Sequence, residues 1–283
     1  MTSVTSNGKV AIVTGANSGI GRITARELAL NGYHVFLACR SVERAQAVVD
    51  EIAALSGNSA KAEVLSLDLG DFKSVRRCAE SFLARDLPLH LLVANAGIAG
   101  NKGRTVSGFE MTFGICHMGH FLLTQLLLDR IKSSAPARIV VVASHAHRRP
   151  ERINFATLRE DTKTLSGFPE YGVAKLSNVL FASELARRLK GTGVTTYSLH
   201  PGVVATNVWR AVPWPFDRLM KLFMISDEEG AATTVYCAQS PEVSAQSGRY
   251  YEECKEKAPS TLALDAALAA RLWDQSEKWL ANA

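Results

Sequence analysis

The sequence predicts an α/β domain in which a parallel sheet is covered by helices on both faces. Short runs rich in β-branched residues alternate with longer segments of 3.6-residue periodicity from Lys9 onward. No Pro/Gly/Ser-rich linker, repeat or low-complexity segment interrupts this alternation. A length of 283 residues equals roughly two average domains, but doubly wound chains often exceed about 200 residues as one unit. We therefore expect residues 1–283 to form a single domain.

The apolar runs predict seven strands, connected by helices. The predicted strands are 10–14, 34–39, 62–67, 89–94, 138–144, 194–199 and 249–251. The predicted helices begin near Gly19, Val42, Phe72, Thr112, Tyr171 and Asp227, and a last helix carries Leu272, Trp273 and Trp279. Parallel strands with helical connections end at the same edge of the sheet, and this edge is where open α/β sheets bind ligands.

The composition is that of a folded globular protein. Hydrophobic residues make up 47% and charged residues 21% of the chain, which argues against intrinsic disorder. The 32 basic and 27 acidic residues leave a net charge of +5, and their scatter indicates no nucleic-acid-binding stripe. The N-terminus is polar, and uninterrupted apolar runs stop at about five residues, against the roughly 20 of a membrane-spanning helix. We expect no integral membrane segment and a cytoplasmic location.

The cysteines indicate neither a disulfide framework nor a metal site. They are odd in number, widely spaced and free of CxxC pairs, which favours a reducing compartment. A metal site at Cys116, His117 and His120 is not expected either, because the sequence indicates no fourth ligand for these three residues. The five cysteines are Cys39, Cys78, Cys116, Cys237 and Cys254.

The segment TGANSGIG (14–21) follows the first strand and opens the first helix. Gly15, Gly19 and Gly21 let the backbone turn tightly and approach a pyrophosphate, whose charge is met by free N–H groups at the helix N-terminus. Such a turn can also occur without a ligand, but its position at the first strand-to-helix junction favours a dinucleotide. The spacing is GxxxGxG rather than GxGxxG.

Arg40 stands at the end of the second strand, where an acidic residue would bind the ribose of NAD. A guanidinium there can instead pair with the 2′-phosphate of NADP through charge-assisted hydrogen bonds. The alternative is an ordinary surface arginine. We predict NADP(H) as the cofactor.

Tyr171 and Lys175 are four residues apart in a helical segment, so their side chains share one face. An ammonium beside a phenol favours the phenolate, which makes Tyr171 a usable general acid/base. Ser144, at the end of the predicted strand 138–144, can hydrogen-bond a substrate oxygen. The YxxxK spacing occurs often by chance, as a tyrosine and a lysine on the surface of a helix. It is evidence for a catalytic pair only together with the accompanying motifs.

These motifs together resemble the short-chain dehydrogenase/reductase superfamily. In order they are TGANSGIG, LDL (67–69), NAG (95–97), Ser144, YGVAK (171–175) and PG (201–202), and they span almost the whole chain. The segments ACRS, GHFLLTQLLL and LARRLKGTGVTTYSLHPGVV are similar to the NADP-dependent retinol dehydrogenase group. The resemblance implies a Rossmann-type fold with a doubly wound, seven-stranded parallel sheet.

The resemblance also implies residue roles. Tyr171 is the acid/base, Lys175 assists it and binds the nicotinamide ribose, and Ser144 orients the carbonyl. The implied cofactor contacts are Gly15, Ser18 and Ile20 in the phosphate turn, Asp68 at the adenine, Asn95 beside the cofactor and Thr206 at the nicotinamide amide, and Tyr171 and Lys175 also count as cofactor-binding residues. Homodimers or homotetramers are implied through helices near 121–128 and 173–189, although the family also contains monomers.

Two positions depart from the family pattern. The family usually carries two asparagines before Ala-Gly, and here the first is Ala94. Cys116 stands where the resemblance implies an asparagine that holds a water of the proton relay, and His117 and His120 are not substitutes because the family has histidine there too. A thiol is a weaker hydrogen-bonding group than an amide, but the Cys116 carbonyl could still hold the water. We expect slowed rather than abolished turnover.

The segment near 206–227 is rich in aromatic and aliphatic residues, among them Trp209, Trp214 and Phe216. It could simply pack on the core or contact a membrane surface. We favour the substrate lid that the resemblance implies, because an apolar lid suits a lipophilic small molecule. The retinol enzymes of the family often carry a membrane anchor, which we do not predict here, and this disfavours retinoids as the natural substrate.

The sequence therefore predicts an NADP-dependent oxidoreductase that interconverts an alcohol and its carbonyl on a lipophilic small molecule. One alternative is an NADP-binding protein with vestigial activity, because Cys116 replaces the usual asparagine. A sugar-nucleotide epimerase is disfavoured, since it would need a longer C-terminal substrate domain and a different glycine spacing.

Overall fold

The computed structural model describes residues 4–202 and 226–282, and the strands in these residues form one sheet. The strands are β1 (Val10–Thr14), β2 (His34–Cys39), β3 (Lys61–Ser66), β4 (Leu91–Ala94), β5 (Ala137–Val142), β6 (Val194–His200), β7 (Arg249–Glu252) and β8 (Lys255–Glu256). Their order across the sheet is β3-β2-β1-β4-β5-β6-β7-β8. The order reverses between β1 and β4, and this reversal opens a crevice at the carboxyl ends of the strands.

The predicted α/β fold is confirmed, with one strand more than the seven expected. Strands β1 to β7 pair in parallel, whereas β8 pairs antiparallel with β7. The two-residue connection consists of Glu253 and Cys254, both with positive φ, as the tight turn of a two-residue hairpin requires. Neither residue is the glycine or asparagine that usually signals such a turn, so the sequence did not predict β8.

Helices cover both faces of the sheet. In the described residues they are α1 (Gly19–Leu30), α2 (Val42–Ser56), α3 (Phe72–Leu83), α4 (Met111–Ser133), α5 (Phe168–Arg188), α6 (Asp227–Gln239) and α7 (Ala266–Ala281). α4 contains a π-helical segment at Gly114–Met118. α5 begins three residues before the predicted Tyr171, because Gly167 in the left-handed region ends the loop and a proline follows in the first turn.

The two faces of the sheet bury different cores. Helices α1, α2 and α6 pack on one face through small and aliphatic side chains. On the other face, α3, α4, α5 and α7 form a larger core that is rich in aromatic rings. Trp273 of α7 lies 5.0 Å from Phe121 of α4 and 5.8 Å from Phe181 of α5, measured between ring centroids. The helix that carries Tyr171 and Lys175 is therefore held from outside by α7.

Helix α4 is long and apolar enough, by length and composition, to cross a membrane. Its 18-residue apolar window is 72% buried inside the fold, and core helices commonly pass the same test. We interpret α4 as a core helix.

Some sequence predictions fall outside the described residues. Thr206 and almost all of the lid predicted near 206–227 lie between the two described ranges. The single-domain organisation of residues 1–283 stays a prediction as well.

Candidate active site

A cleft of about 910 Å³ lies at the carboxyl ends of the strands. Every predicted cofactor residue that the structure describes lines this cleft, and so do the predicted catalytic residues Ser144, Tyr171 and Lys175. Cys116 is not in the lining but lies behind Gly97 of the cleft wall. The predicted residues in the lining are Gly15, Ser18, Gly19, Ile20, Gly21, Arg40, Asp68, Asn95, Ser144, Tyr171 and Lys175. The fold thus brings together residues that are spread over most of the sequence.

The glycine turn holds one end of the cleft. A Cβ on Gly21 would lie 2.4 Å from both the Gly15 carbonyl oxygen and Asn95 Nδ2, so only glycine fits there. Gly15 and Gly19 both have positive φ, which glycine adopts at little cost. Within the described chain the Ser18 side chain makes no capping hydrogen bond to α1, which leaves backbone N–H groups of its first turn for a phosphate. The turn therefore fits a dinucleotide.

Asn95 joins the two strands on either side of the crevice. Its Nδ2 donates to the carbonyl of Thr14 at 2.8 Å, and its backbone N–H donates to Thr14 Oγ1 at 2.9 Å. Thr14 ends β1, and Asn95 directly follows β4. Asn95 is thus a support of the phosphate turn as well as a residue of the cleft wall.

Arg40 is exposed at the end of β2, and Arg44 of α2 lines the same part of the cleft. Two guanidinium groups therefore stand where the second strand ends. Sequence reasoning did not single out Arg44, although its place in the first turn of the helix that follows Arg40 was a usable signal.

The reaction end is built from β5 and α5. The predicted strand 138–144 was too long: β5 ends at Val142, and Ser144 lies beyond it, where it caps the 3-10 turn His145–Arg148. Its Oγ accepts a hydrogen bond from the N–H of Ala146 at 3.2 Å, which takes the chain out of the sheet. Gly172 of α5 allows this turn to approach, because a Cβ there would lie only 3.1 Å from the Ala146 carbonyl oxygen.

Tyr171 and Lys175 lie one helical turn apart on α5, at 8% and 3% exposure. Lys175 Nζ is 5.7 Å from the centre of the Tyr171 ring and donates to the Val142 carbonyl at 2.9 Å. Asn178 Nδ2 donates to the same carbonyl at 3.2 Å. This carbonyl orients the ammonium, and Asn178 is a supporting residue that sequence reasoning missed.

Cys116 is fully buried on the π-helical segment of α4. Its Sγ accepts from the Ile98 N–H at 3.5 Å and lies 3.6 Å from the Ile98 carbonyl oxygen. Burial raises the pKa of the thiol, although Lys175 acts in the opposite direction. The thiol therefore stays neutral beside the main chain of the cleft wall.

His120 connects Cys116 to the crevice. Burial lowers the pKa of His120 to about 4, so the ring is neutral near pH 7. Its Nδ1 lies 3.0 Å from the Cys116 carbonyl oxygen, and its Nε2 lies 2.8 Å from Thr14 Oγ1. A neutral ring donates from Nδ1 to the carbonyl and accepts the Thr14 hydroxyl at Nε2. The sequence did not predict the hydrogen bond from His120 to the Cys116 carbonyl. This bond occupies one of the two lone pairs of the carbonyl oxygen, the group that could hold a relay water.

Comparison with known proteins identifies relatives over nearly the whole chain. The pattern of the short chain dehydrogenase family matches residues 9–214. Mouse retinol dehydrogenase 12 is 45% identical over 281 residues, which cover 97% of this chain and 87% of the relative.

Solved structures show the same fold. An uncharacterised protein from Mycobacterium paratuberculosis superposes with a TM-score of 0.77 at 33% identity, covering 98% of this chain and 95% of the other. A protein from Beutenbergia cavernae, described as an NAD(P)-dependent gluconate 5-dehydrogenase with bound NADP, has a TM-score of 0.70 at 25% identity, with coverage of 89% and 96%.

Proposed function

Since the chain belongs to the short-chain dehydrogenase family and is an alcohol/carbonyl oxidoreductase, we propose that it uses NADP(H) and acts on a lipophilic small molecule with Tyr171 as general acid/base. The observation that carries this proposal is the arrangement of Tyr171 and Lys175 on one face of α5, in the same cleft as Ser144 and the glycine turn.

The proposed chemistry divides between cofactor and chain. When bound, NADP(H) supplies or accepts the hydride. The Ser144 hydroxyl donates a hydrogen bond to the substrate oxygen and holds it near the Tyr171 hydroxyl. Tyr171 gives its proton to that oxygen in reduction and takes it back in oxidation.

Lys175 supports this proton transfer by its position. One of the three N–H bonds of its ammonium is fixed on the Val142 carbonyl, which holds the positive charge 5.7 Å from the centre of the Tyr171 ring. The remaining two can reach the nicotinamide ribose and a relay water.

NADP is preferred over NAD because of Arg40 and Arg44, whose charges suit a 2′-phosphate. The bound NADP described for the Beutenbergia cavernae relative supports this choice. The lipophilic substrate class rests on the apolar segment 206–227 and on the mouse relative, whose name gives retinol as its substrate. A cytoplasmic location is part of the same proposal.

A homodimer or homotetramer stays a prediction. α7 packs on α4 and α5, the two helices of the predicted subunit contact, with Trp273 against Phe121 and Phe181. Light scattering during size-exclusion chromatography measures the molar mass and so distinguishes a dimer or tetramer from a monomer.

The decisive experiment assays a panel of aldehydes and ketones with NADPH, using the wild type and Tyr171→Phe. We expect activity on lipophilic carbonyls and a loss of at least about 100-fold in Tyr171→Phe, the usual contribution of general acid/base catalysis. The variant should still bind NADPH, because the other predicted cofactor residues of the cleft are intact. Tyr236→Phe, which removes an exposed hydroxyl bonded to Glu242, is the matched control and should retain full activity.

The same assay tests the second candidate, an NADP-binding protein with vestigial activity. The observation that favours it is the buried thiol of Cys116 at the relay position. Tight NADPH binding by the wild type with no turnover across the panel would support this candidate and contradict the enzyme proposal.

A further inference from the structure

Three side chains that the proposed reaction does not use meet at one edge of the cleft. They are His145, His200 and Glu252, and they lie at the carboxyl ends of three neighbouring strands of the sheet. His200 is the last residue of β6 and Glu252 the last of β7, and the two are direct partners in the β6–β7 register. His145 follows Ser144 just beyond β5. The topology therefore gathers residues that lie far apart in the sequence.

Their distances suit a single small ion. One ligand atom from each residue lies within 4.8 Å of the other two. His145 Nε2 is 2.7 Å from Glu252 Oε1, and the rings of His145 and His200 stack with centroids 4.3 Å apart. Two ligands of a tetrahedral Zn²⁺ are about 3.3 Å apart when each bond is about 2.0 Å long. Small side-chain rotations bring the three atoms into that range.

One ring nitrogen of His200 has no hydrogen-bond partner in residues 4–202 and 226–282. The residue is 5% exposed, and its Nδ1 is buried without a hydrogen-bond partner among the described residues. An unpaired polar atom in the interior is costly.

A neighbouring histidine provides a contrast. His147 is also buried, but both of its ring nitrogens have partners: Nδ1 lies 2.7 Å from the Ser144 carbonyl oxygen, and Nε2 accepts the Ser260 N–H at 3.1 Å. The unpartnered nitrogen is therefore a feature of His200 and not of buried histidines at this edge in general.

We propose that His145, His200 and Glu252 bind one divalent cation of the Zn²⁺ class, with a free coordination position toward the cleft. Two imidazoles and one carboxylate form a ligand set that suits Zn²⁺ better than the oxygen-seeking Ca²⁺ or Mg²⁺. His145 and His200 both line the cleft beside Ser144, so the free position faces the reaction end. The site departs from the sequence-based expectation of no metal, and it does not depend on the proposed oxidoreductase chemistry.

The test is a calorimetric titration of the full-length, metal-free protein with Zn²⁺. We expect one ion per chain, and His145→Ala and Glu252→Gln should each raise the dissociation constant by at least about ten-fold. His34→Ala is the matched control, because His34 Nε2 is likewise 2.8 Å from a carboxylate, that of Glu63. The described part of the chain shows no second histidine ligand at that pair.

Absorption of the Co²⁺-substituted protein identifies the ligand atoms. A nitrogen and oxygen set gives d–d bands without a thiolate charge-transfer band, and Cys254→Ser, two residues after Glu252, should leave the spectrum unchanged. His200→Asn should abolish the bands while circular dichroism stays that of the wild type. Three results would each overturn the proposal. They are the absence of stoichiometric Zn²⁺ binding, a Zn²⁺ affinity of His145→Ala and Glu252→Gln equal to that of the wild type, and loss of Zn²⁺ binding in Cys254→Ser.

Discussion

The two ends of the cleft are built in different ways. The cofactor end combines one continuous turn, Gly15 to Gly21, supported by Asn95, with Arg40 and Arg44 at the junction of β2 and α2. The reaction end is assembled from the end of β5 and from α4 and α5, and α5 is held in turn by α7. A local backbone conformation therefore determines the first end, whereas packing between distant elements determines the second. Four variants test this difference.

The largest effect is expected from Trp273→Ala. The Trp273 ring is 4% exposed and packs on Phe121 and Phe181, so its removal should lower the free energy of unfolding by about 3–5 kcal/mol. Denaturant unfolding measures this change. NADP binding to the remaining folded protein should be nearly normal, since the glycine turn does not touch α7. Leu264→Ala, at a residue 65% exposed, is the control and should change stability by less than about 0.5 kcal/mol.

Arg40→Asp tests the cofactor end. The substitution removes charge-assisted hydrogen bonds of about 1.5–3 kcal/mol to the 2′-phosphate, so the ratio of kcat/KM for NADP to that for NAD should fall by roughly 10- to 150-fold. Arg149→Asp places the same charge change in the wall of the same cleft but beside the Ser144 turn, and it should leave the ratio unchanged. An unaltered ratio in Arg40→Asp would show that this guanidinium does not bind the phosphate.

Gly21→Ala tests whether the turn itself determines cofactor binding. The added methyl group would contact backbone at Gly15 and must displace it, at a cost of about 1–3 kcal/mol. The dissociation constant of NADP, measured by fluorescence, should rise by roughly 5- to 150-fold. Gly191→Ala is the control: its new methyl would meet no atom within 4 Å, and the residue has a positive φ and lies outside the cleft lining, so the variant carries backbone strain away from the turn and should leave the dissociation constant unchanged. Equal affinity in both variants would mean that the turn adapts freely.

The smallest effect is expected from Cys116→Asn at the reaction end. An amide is a stronger hydrogen-bonding group than the thiol for a relay water, so kcat should rise by roughly 3- to 10-fold, about 1 kcal/mol in the barrier. Cys116→Ala, which adds no amide, should stay near the wild type. Unchanged or lower turnover in Cys116→Asn would contradict the relay interpretation of this position.

The sequence predicted the elements whose ends are determined locally. α2, α3 and α6 begin at the predicted residues because Ser41, Asp71 and Ser226 accept hydrogen bonds from backbone N–H groups in their first turns. The start of α5 and the end of β5 were misplaced, because a left-handed glycine and the Ser144 cap determine them.

The same division holds for the site. The sequence predicts the glycine turn, Arg40 and the Tyr171–Lys175 pair because each of these features consists of residues that lie close together along the chain. The link between Thr14 and His120 and the meeting of His200 with Glu252 depend on which strands become neighbours and in which register. No local pattern carries that information, so these contacts appear only in the folded chain.

The hairpin of β7 and β8 also affects how copies of the protein meet at high concentration. A sheet edge with unpaired N–H and C=O groups is a template for aggregation, and short, charged edge strands weaken that template. β8 is two residues long and consists of Lys255 and Glu256, both exposed. The opposite edge, β3, carries Lys61 and Glu63. Neither edge exposes a long apolar strand to a second copy, so we expect little aggregation through pairing of sheet edges.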